Sequence, residues 1–325
     1  MSDTLIATGR AAAHGPHDTL PLGLGATLRG LLQREWLQQR RGWTFFLLAP
    51  SLLVLLLAVF GQVQMDVHND AGEPELLVSS QALLLTAGLI GGLMLAGLVL
   101  ASALSLLQAS GLARRDVQDR SIEFWRALPV ADSLALTAPL LAQLLLLPLA
   151  ALVVDAAGGV LASAVAVGRT DGLVAWLGLP WGTLALAAVA LGLRLALGLV
   201  LALLWLSPLL MAAMAVSAWL KRWGLPLLIL LLSAGHPLLA KFYGITVIGR
   251  TADFLVQEAG HAFLAKPPVL RGLPSLDGLL ADLPRLALLD AGAALARLAQ
   301  PALLLVLATS AVGFALLLWR RQRAG

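Results

Sequence analysis

The sequence predicts an all-α, polytopic membrane protein with six transmembrane helices. Two observations carry that reading. Hydrophobic residues make up 59% of the 325 residues, charged residues only 12%, and mean hydropathy is +0.89, whereas a soluble domain is about a quarter charged. Several apolar runs also exceed the roughly 20 residues that a spanning helix needs. Leu and Ala dominate these runs with no period-two alternation, so helices and not a barrel satisfy the backbone.

In chain order, residues 1–20 are polar and mixed, with His14, Gly15, Pro16 and His17, and are expected to form a disordered tail. The rest, 21–325, reads as one transmembrane domain. Leu24, Leu28, Leu31, Leu32 and Trp36 recur at helical spacing among Arg29, Gln33, Arg40 and Arg41. That pattern predicts an amphipathic helix on the membrane surface, leading into a first span over 43–61. The segment 62–80 carries Asp66, Asp70, Glu73 and Glu75 and no Lys or Arg. A second span over 82–107 contains Gly88, Gly91, Gly92 and Gly97, which permit close helix packing.

A charged island follows, with Arg114, Arg115, Arg120 and Arg126 among Asp116, Asp119, Glu123 and Asp132. Within it Ser121–Leu128 reads as a short helix stopped by Pro129. The third span is expected over 133–154, with Asp155–Gly159 marking its exit, because the apolar run to Gly168 is too long for one crossing. A fourth span over 196–218 ends at Lys221 and Arg222. A fifth over 224–247 contains His236-Pro237. Residues 249–299 are mixed and interrupted by Pro267, Pro268, Pro274 and Pro284. A sixth span over 302–319 ends in Arg320, Arg321 and Arg323. Basic residues thus cluster before the first span and after the second, fourth and sixth, which under the positive-inside rule puts both termini and the island in the cytoplasm.

Candidate chemistry is sparse. The five histidines, 14, 17, 68, 236 and 261, show no metal-ligand spacing, and no GxxxxGK[ST] phosphate loop occurs. No catalytic constellation is found: Ala109-Ser110-Gly111 lacks a flanking glycine, and Glu258 with His261 does not form HExxH. Neither an enzyme, a cofactor site nor a nucleic-acid partner is expected. With the third span ended at Val154, the spans hold no Asp or Glu, which disfavours an ion-coupled carrier. Arg194 is expected near the outer surface, and Lys241 can snorkel there. His236, beside a helix-kinking Pro237, reads as a hydrogen-bonded neutral residue at the kink or as a contact on a translocation path.

One segment resembles a known family. Arg120-Ser121-Ile122, Phe124-Trp125-Arg126 and Leu128-Pro129-Val130 with Asp132 resemble the DRS-I-x-FWRSLPVSD run of bacterial type-2 ABC exporter permeases, with departures at Glu123, Ala127 and Ala131. The resemblance implies a permease in the bacterial inner membrane that pairs with a second permease chain and two cytoplasmic ATPase subunits. It makes the island a cytoplasmic coupling helix, with Arg120, Ser121, Phe124, Trp125, Arg126, Leu128 and Pro129 meeting the ATPase and Lys221 and Arg222 forming a smaller contact. The same resemblance implies a lid or re-entrant element over the exit between 249 and 300. Alternatives are an ion-coupled secondary transporter and a non-transporting membrane anchor of a soluble complex.

Because the chain has no cysteine, single introduced cysteines test the orientation. An impermeant thiol reagent is expected to label Asp70→Cys from outside, and to reach neither Asp119→Cys nor Gln322→Cys; outside labelling of Asp119→Cys reverses the topology.

Overall fold

The computed structural model describes residues 24–61, 74–118, 132–220, 223–265 and 276–323, which are helical with no strand among them. Six stretches are long and apolar enough to cross a membrane: Gly25–Phe60, Gln81–Leu112, Ser133–Thr170, Trp181–Leu220, Gly224–Tyr243 and Ala302–Arg320. The protein is therefore a helical, multi-pass membrane protein. The last stretch agrees with the expected sixth span; the others differ in their ends, for identifiable reasons.

Helix α1 (Leu24–Phe60) joins the expected surface helix and the first span into one rod. One face stays buried past the expected break, through Leu31, Glu35 and Trp43. Leu31 packs with Ala138, Leu28 and Leu134, and Trp43 Nε1 donates to Gln39 Oε1 at 2.8 Å. Arg29, Arg40 and Arg41 occupy the exposed face. Residues 24–41 therefore continue the helix of the first span without a break. Helix α2 (Pro74–Gln118) is likewise longer than its expected apolar core.

The third element is α3 (Asp132–Leu141), a π-helical turn (Ala142–Leu146) and α4 (Leu147–Thr170) in unbroken succession. The expected exit at Asp155–Gly159 is overturned, since these residues lie inside α4 and are mostly buried. The apparent break is a packing device. Gly159 takes the backbone of Ile90 so closely that a β-carbon there would stand 2.6 Å from Ile90 Cα. Beyond α4 come a short helix, α5 (Leu173–Leu177), and then α6 (Trp181–Leu220). Its 40 residues make α6 about 60 Å long at 1.5 Å per residue, so the expected span at 196–218 is only its second half. Pro208 does not break it. The Leu204 carbonyl, deprived of the Pro208 N–H, accepts the Ser207 hydroxyl at 2.7 Å, one of the ways a spanning helix tolerates proline.

The fifth span comprises α7 (Gly224–Leu230), a second π turn (Leu231–Gly235) and α8 (His236–Tyr243). It ends at Tyr243, four residues before the expected Val247, and Gly244, with a φ of 67°, forms a left-handed helix cap. Helices α9 (Val247–Phe263) and α10 (Leu276–Ala296) occupy the mixed region, and Pro284 lies within α10 without ending it. Helix α11 (Ala302–Arg323) closes the chain.

Contacts fix the directions. Helix α1 runs parallel to α4, with Trp43 and Leu47 beside Leu147 and Ala151 and the carbonyls of Ala58 and Val59 accepting Arg169 Nη1 at 2.6 and 2.5 Å. Helix α2 runs antiparallel to α4, Ile90 meeting Gly159 and Gly97 meeting Asp155. It runs parallel to α6, where Gly91 meets Leu191 and Met94 meets Gly192. Helix α11 also follows α6, joined by a 2.7 Å Ser207–Ser310 hydroxyl bond. This alternation is what serial crossings require.

The glycines of the α2 and α4 crossings separate into two classes. Gly88 and Gly92 meet nothing within 4 Å, whereas Gly159 lies against backbone, which cannot give way as a side chain can. Gly159→Ala is expected to destabilise the folded protein by about 2 kcal/mol or more through overpacking, read as a loss of thermal stability in detergent. Gly92→Ala is expected to leave it unchanged.

Candidate functional site

The residues expected to meet an ATPase, Arg120, Ser121, Phe124, Trp125, Arg126, Leu128, Pro129, Lys221 and Arg222, lie outside the described residues. Their flanks are described. The apolar core that joins the helices leading to them gathers Ala109 and Leu112 of α2, Leu136 and Leu140 of α3, Met214 and Ala218 of α6 and Leu317 of α11. The start of α7 is held to the end of α6, because Gly224 touches the backbone of Val216 and Ser217 where no β-carbon would fit. The Arg320 guanidinium stacks 4.8 Å from the Trp219 ring and Arg323 lies 3.9 Å from the Trp319 ring. One pole of the bundle therefore collects the helix ends before and after both segments, together with two cation–indole pairs.

A second feature was not legible as a site from the sequence. Asp155 is fully buried in α4, so the expectation that the spans lack carboxylates is wrong. Ser51 of α1 donates its hydroxyl to Asp155 Oδ1 at 2.6 Å. Asp155 Oδ2 has no hydrogen-bond partner among the described residues. It faces Gly97 of α2, where a β-carbon would collide with the carboxyl group, and Gly158 makes room for Ser51 in the same way. Three helices thus converge on one carboxyl through a serine and two glycines. A carboxylate at the centre of a bilayer is unfavourable by about 2.5–3.5 kcal/mol on insertion scales, and such residues pair or serve a function. The available signal was that Asp155 is the only ionisable residue in the run from Ser133 to Gly168.

A third group of polar contacts ties α9 and α10 to α6. Arg194 is buried within the protein. Its Nε donates to Asp290 Oδ2 at 2.8 Å and its Nη1 to the Ala262 carbonyl at 2.8 Å, and Nη2 lies 2.6 Å from the same carboxylate. Arg297 Nη1 reaches both oxygens of Glu258, at 2.8 and 2.9 Å. Apolar packing of Leu201, Trp205, Leu255 and Ala259 fills the space between these pairs.

At the fifth span, His236 is half-buried. The π turn sends its backbone N–H to Leu231, which frees the Leu232 carbonyl. His236 Nδ1 takes that carbonyl at 2.6 Å. The ring also lies against Gly249, where it leaves no room for a β-carbon. The ring thus bonds a carbonyl one turn back beside Pro237, as the first of the two sequence readings expects.

Breaking one partner of a buried ion pair is far worse than removing both. Asp290→Leu is expected to destabilise the protein by about 3 kcal/mol, because Arg194 is left charged and buried. Adding Arg194→Met is expected to recover most of that loss, measured by thermal unfolding of the single and double variants.

No protein-family model, curated protein or solved structure matches this chain.

Proposed function

We propose that this chain is the transmembrane permease subunit of an ATP-driven exporter of the type-2 ABC kind. It would work in a bacterial inner membrane with both termini in the cytoplasm, paired with a second permease chain and served by two cytoplasmic ATPase subunits. The observation that carries the reading is the run Arg120–Asp132, with its Phe124-Trp125-Arg126 core and Pro129. The convergence of the flanking ends of α2, α3, α6 and α11 on one core supports it. Force delivered to the island would enter α2 and α3 together, and force on Lys221 and Arg222 would enter α6 at the same pole. Few polar groups line the apolar surfaces, which suits an amphiphilic substrate leaving the cytoplasm or inner leaflet.

In this reading Trp125 is the anchor. A coupling contact needs a rigid side chain seated in a partner pocket, and Trp and Arg dominate interface energies at about 2 kcal/mol or more each. Arg120 and Arg126 would engage acidic groups at the rim, adding orientation and on-rate. The experiment is recovery of the ATPase with wild-type and Trp125→Ala permease, normalised to membrane level. A loss of about thirtyfold in affinity is expected, matching about 2 kcal/mol. Equal recovery and equal transport would remove Trp125 from the contact.

A second reading, an ion-coupled carrier, is favoured by Asp155, because a carboxyl buried in a span is what such carriers use to hold a coupling ion. Transport that persists without any ATPase and collapses with a protonophore would select it over the first.

A further inference from the structure

The crossing of α1, α2 and α4 holds more than a structural contact requires. Ser51 stands eight residues after Trp43 and nine before Phe60, about 12 and 14 Å along the helix. It is therefore near the middle of a hydrocarbon core about 30 Å thick. At that depth the Asp155 carboxyl receives one hydrogen bond from the described residues, that of Ser51. The glycines that admit the group supply no donor: Gly97 presents only its Cα face to Oδ2.

Compensating charge is also missing from the stretches of the three helices that meet there. Residues 42–61 of the first span, 81–113 of the second and 147–168 of the third contain no ionisable side chain other than Asp155. The cation on α6, the next helix against α2, is Arg194, and it is engaged by Asp290 and the Ala262 carbonyl. Water has no approach to a group with no exposed surface. A carboxyl in apolar surroundings with one donor and no cation is completed most simply by a proton, which removes the charge.

We propose that Asp155 is a proton-binding site at the mid-membrane crossing of α1, α2 and α4, with the proton on Oδ2 and the Ser51 hydroxyl donating to Oδ1. The proton comes from water and returns to it only when the crossing parts, since Gly97 and Ser51 cover both oxygens while α1, α2 and α4 are in contact. Loss of the proton is thereby tied to separation of α1 or α2 from α4. The inference rests on the membrane-spanning reading alone and holds for an ATP-driven or an ion-coupled protein.

Infrared difference spectroscopy on the full chain in lipid at neutral pH tests this. A protonated carboxyl has a carbonyl stretch distinct from the bands of a carboxylate. The difference between wild type and Asp155→Asn is expected to show loss of one such acid carbonyl band. In Ser51→Ala the band should persist and move to higher frequency, because the hydrogen bond to the carbonyl oxygen is gone. If Asp155→Asn fails to fold, the shift between wild type and Ser51→Ala still reports the proton. Carboxylate bands in place of the acid carbonyl would overturn the proposal, as would bleaching of the band by sodium at constant pH, which would make the site a metal-cation site. Neither result bears on recovery of an ATPase through Trp125.

Discussion

The contact on which the rest of the fold depends is the approach of three helices to the Asp155 carboxyl. Lipid offers no hydrophobic force to bring one apolar helix to another, so packing and hydrogen bonds decide which helices meet. Here Ser51 supplies the bond, and Gly97, Gly158 and Gly159 remove the side chains that would keep the backbones apart. The same glycines would be poor choices in an isolated helix, where each is less favourable than Ala by about 1 kcal/mol. They make sense only in company. A residue of ordinary size at Gly97 or Gly158 would push the serine and the carboxyl apart and leave a polar group alone in the membrane.

On the other side of α2, α6 organises the remaining helices by a different means. Arg194 with Asp290 and Arg297 with Glu258 link α6, α9, α10 and the turn after α10 through charge. A buried pair such as Arg194–Asp290 contributes little net stability but strongly disfavours any arrangement that separates it. It defines which face of α10 meets α6 where Leu, Ala and Val alone would accept several. The hydroxyl pair Ser207–Ser310 does the same at lower strength for α11.

The number of spans was legible because hydropathy summed over 20 residues is a large signal. Their ends were not. Asp155 looked like an exit because an acid beside Ala-Ala-Gly-Gly resembles the margin of a membrane segment, and its partner Ser51 is 104 residues away in sequence. The ion pair of Arg194 was hidden for the same reason, its partner being 96 residues distant. Pro284 suggested a break that α10 absorbs. The helical character of the chain was readable from local composition and spacing. The pairing of distant polar groups inside the bundle was not, because nothing local marks which residues will face one another.

Two π turns precede prolines in this chain, Ala142–Leu146 before Pro148 and Leu231–Gly235 before Pro237. Each carries an extra residue, and relaxing it to α geometry would swing everything beyond it by about 100° around the axis. Past the first turn lies the Asp155 crossing, so rotation there would tear three helices apart. Past the second, none of residues 225–248 is buried. The same irregularity thus lies beside a tightly packed crossing in one helix and among partly exposed residues in the other, where the His236 ring meets α9 at Gly249.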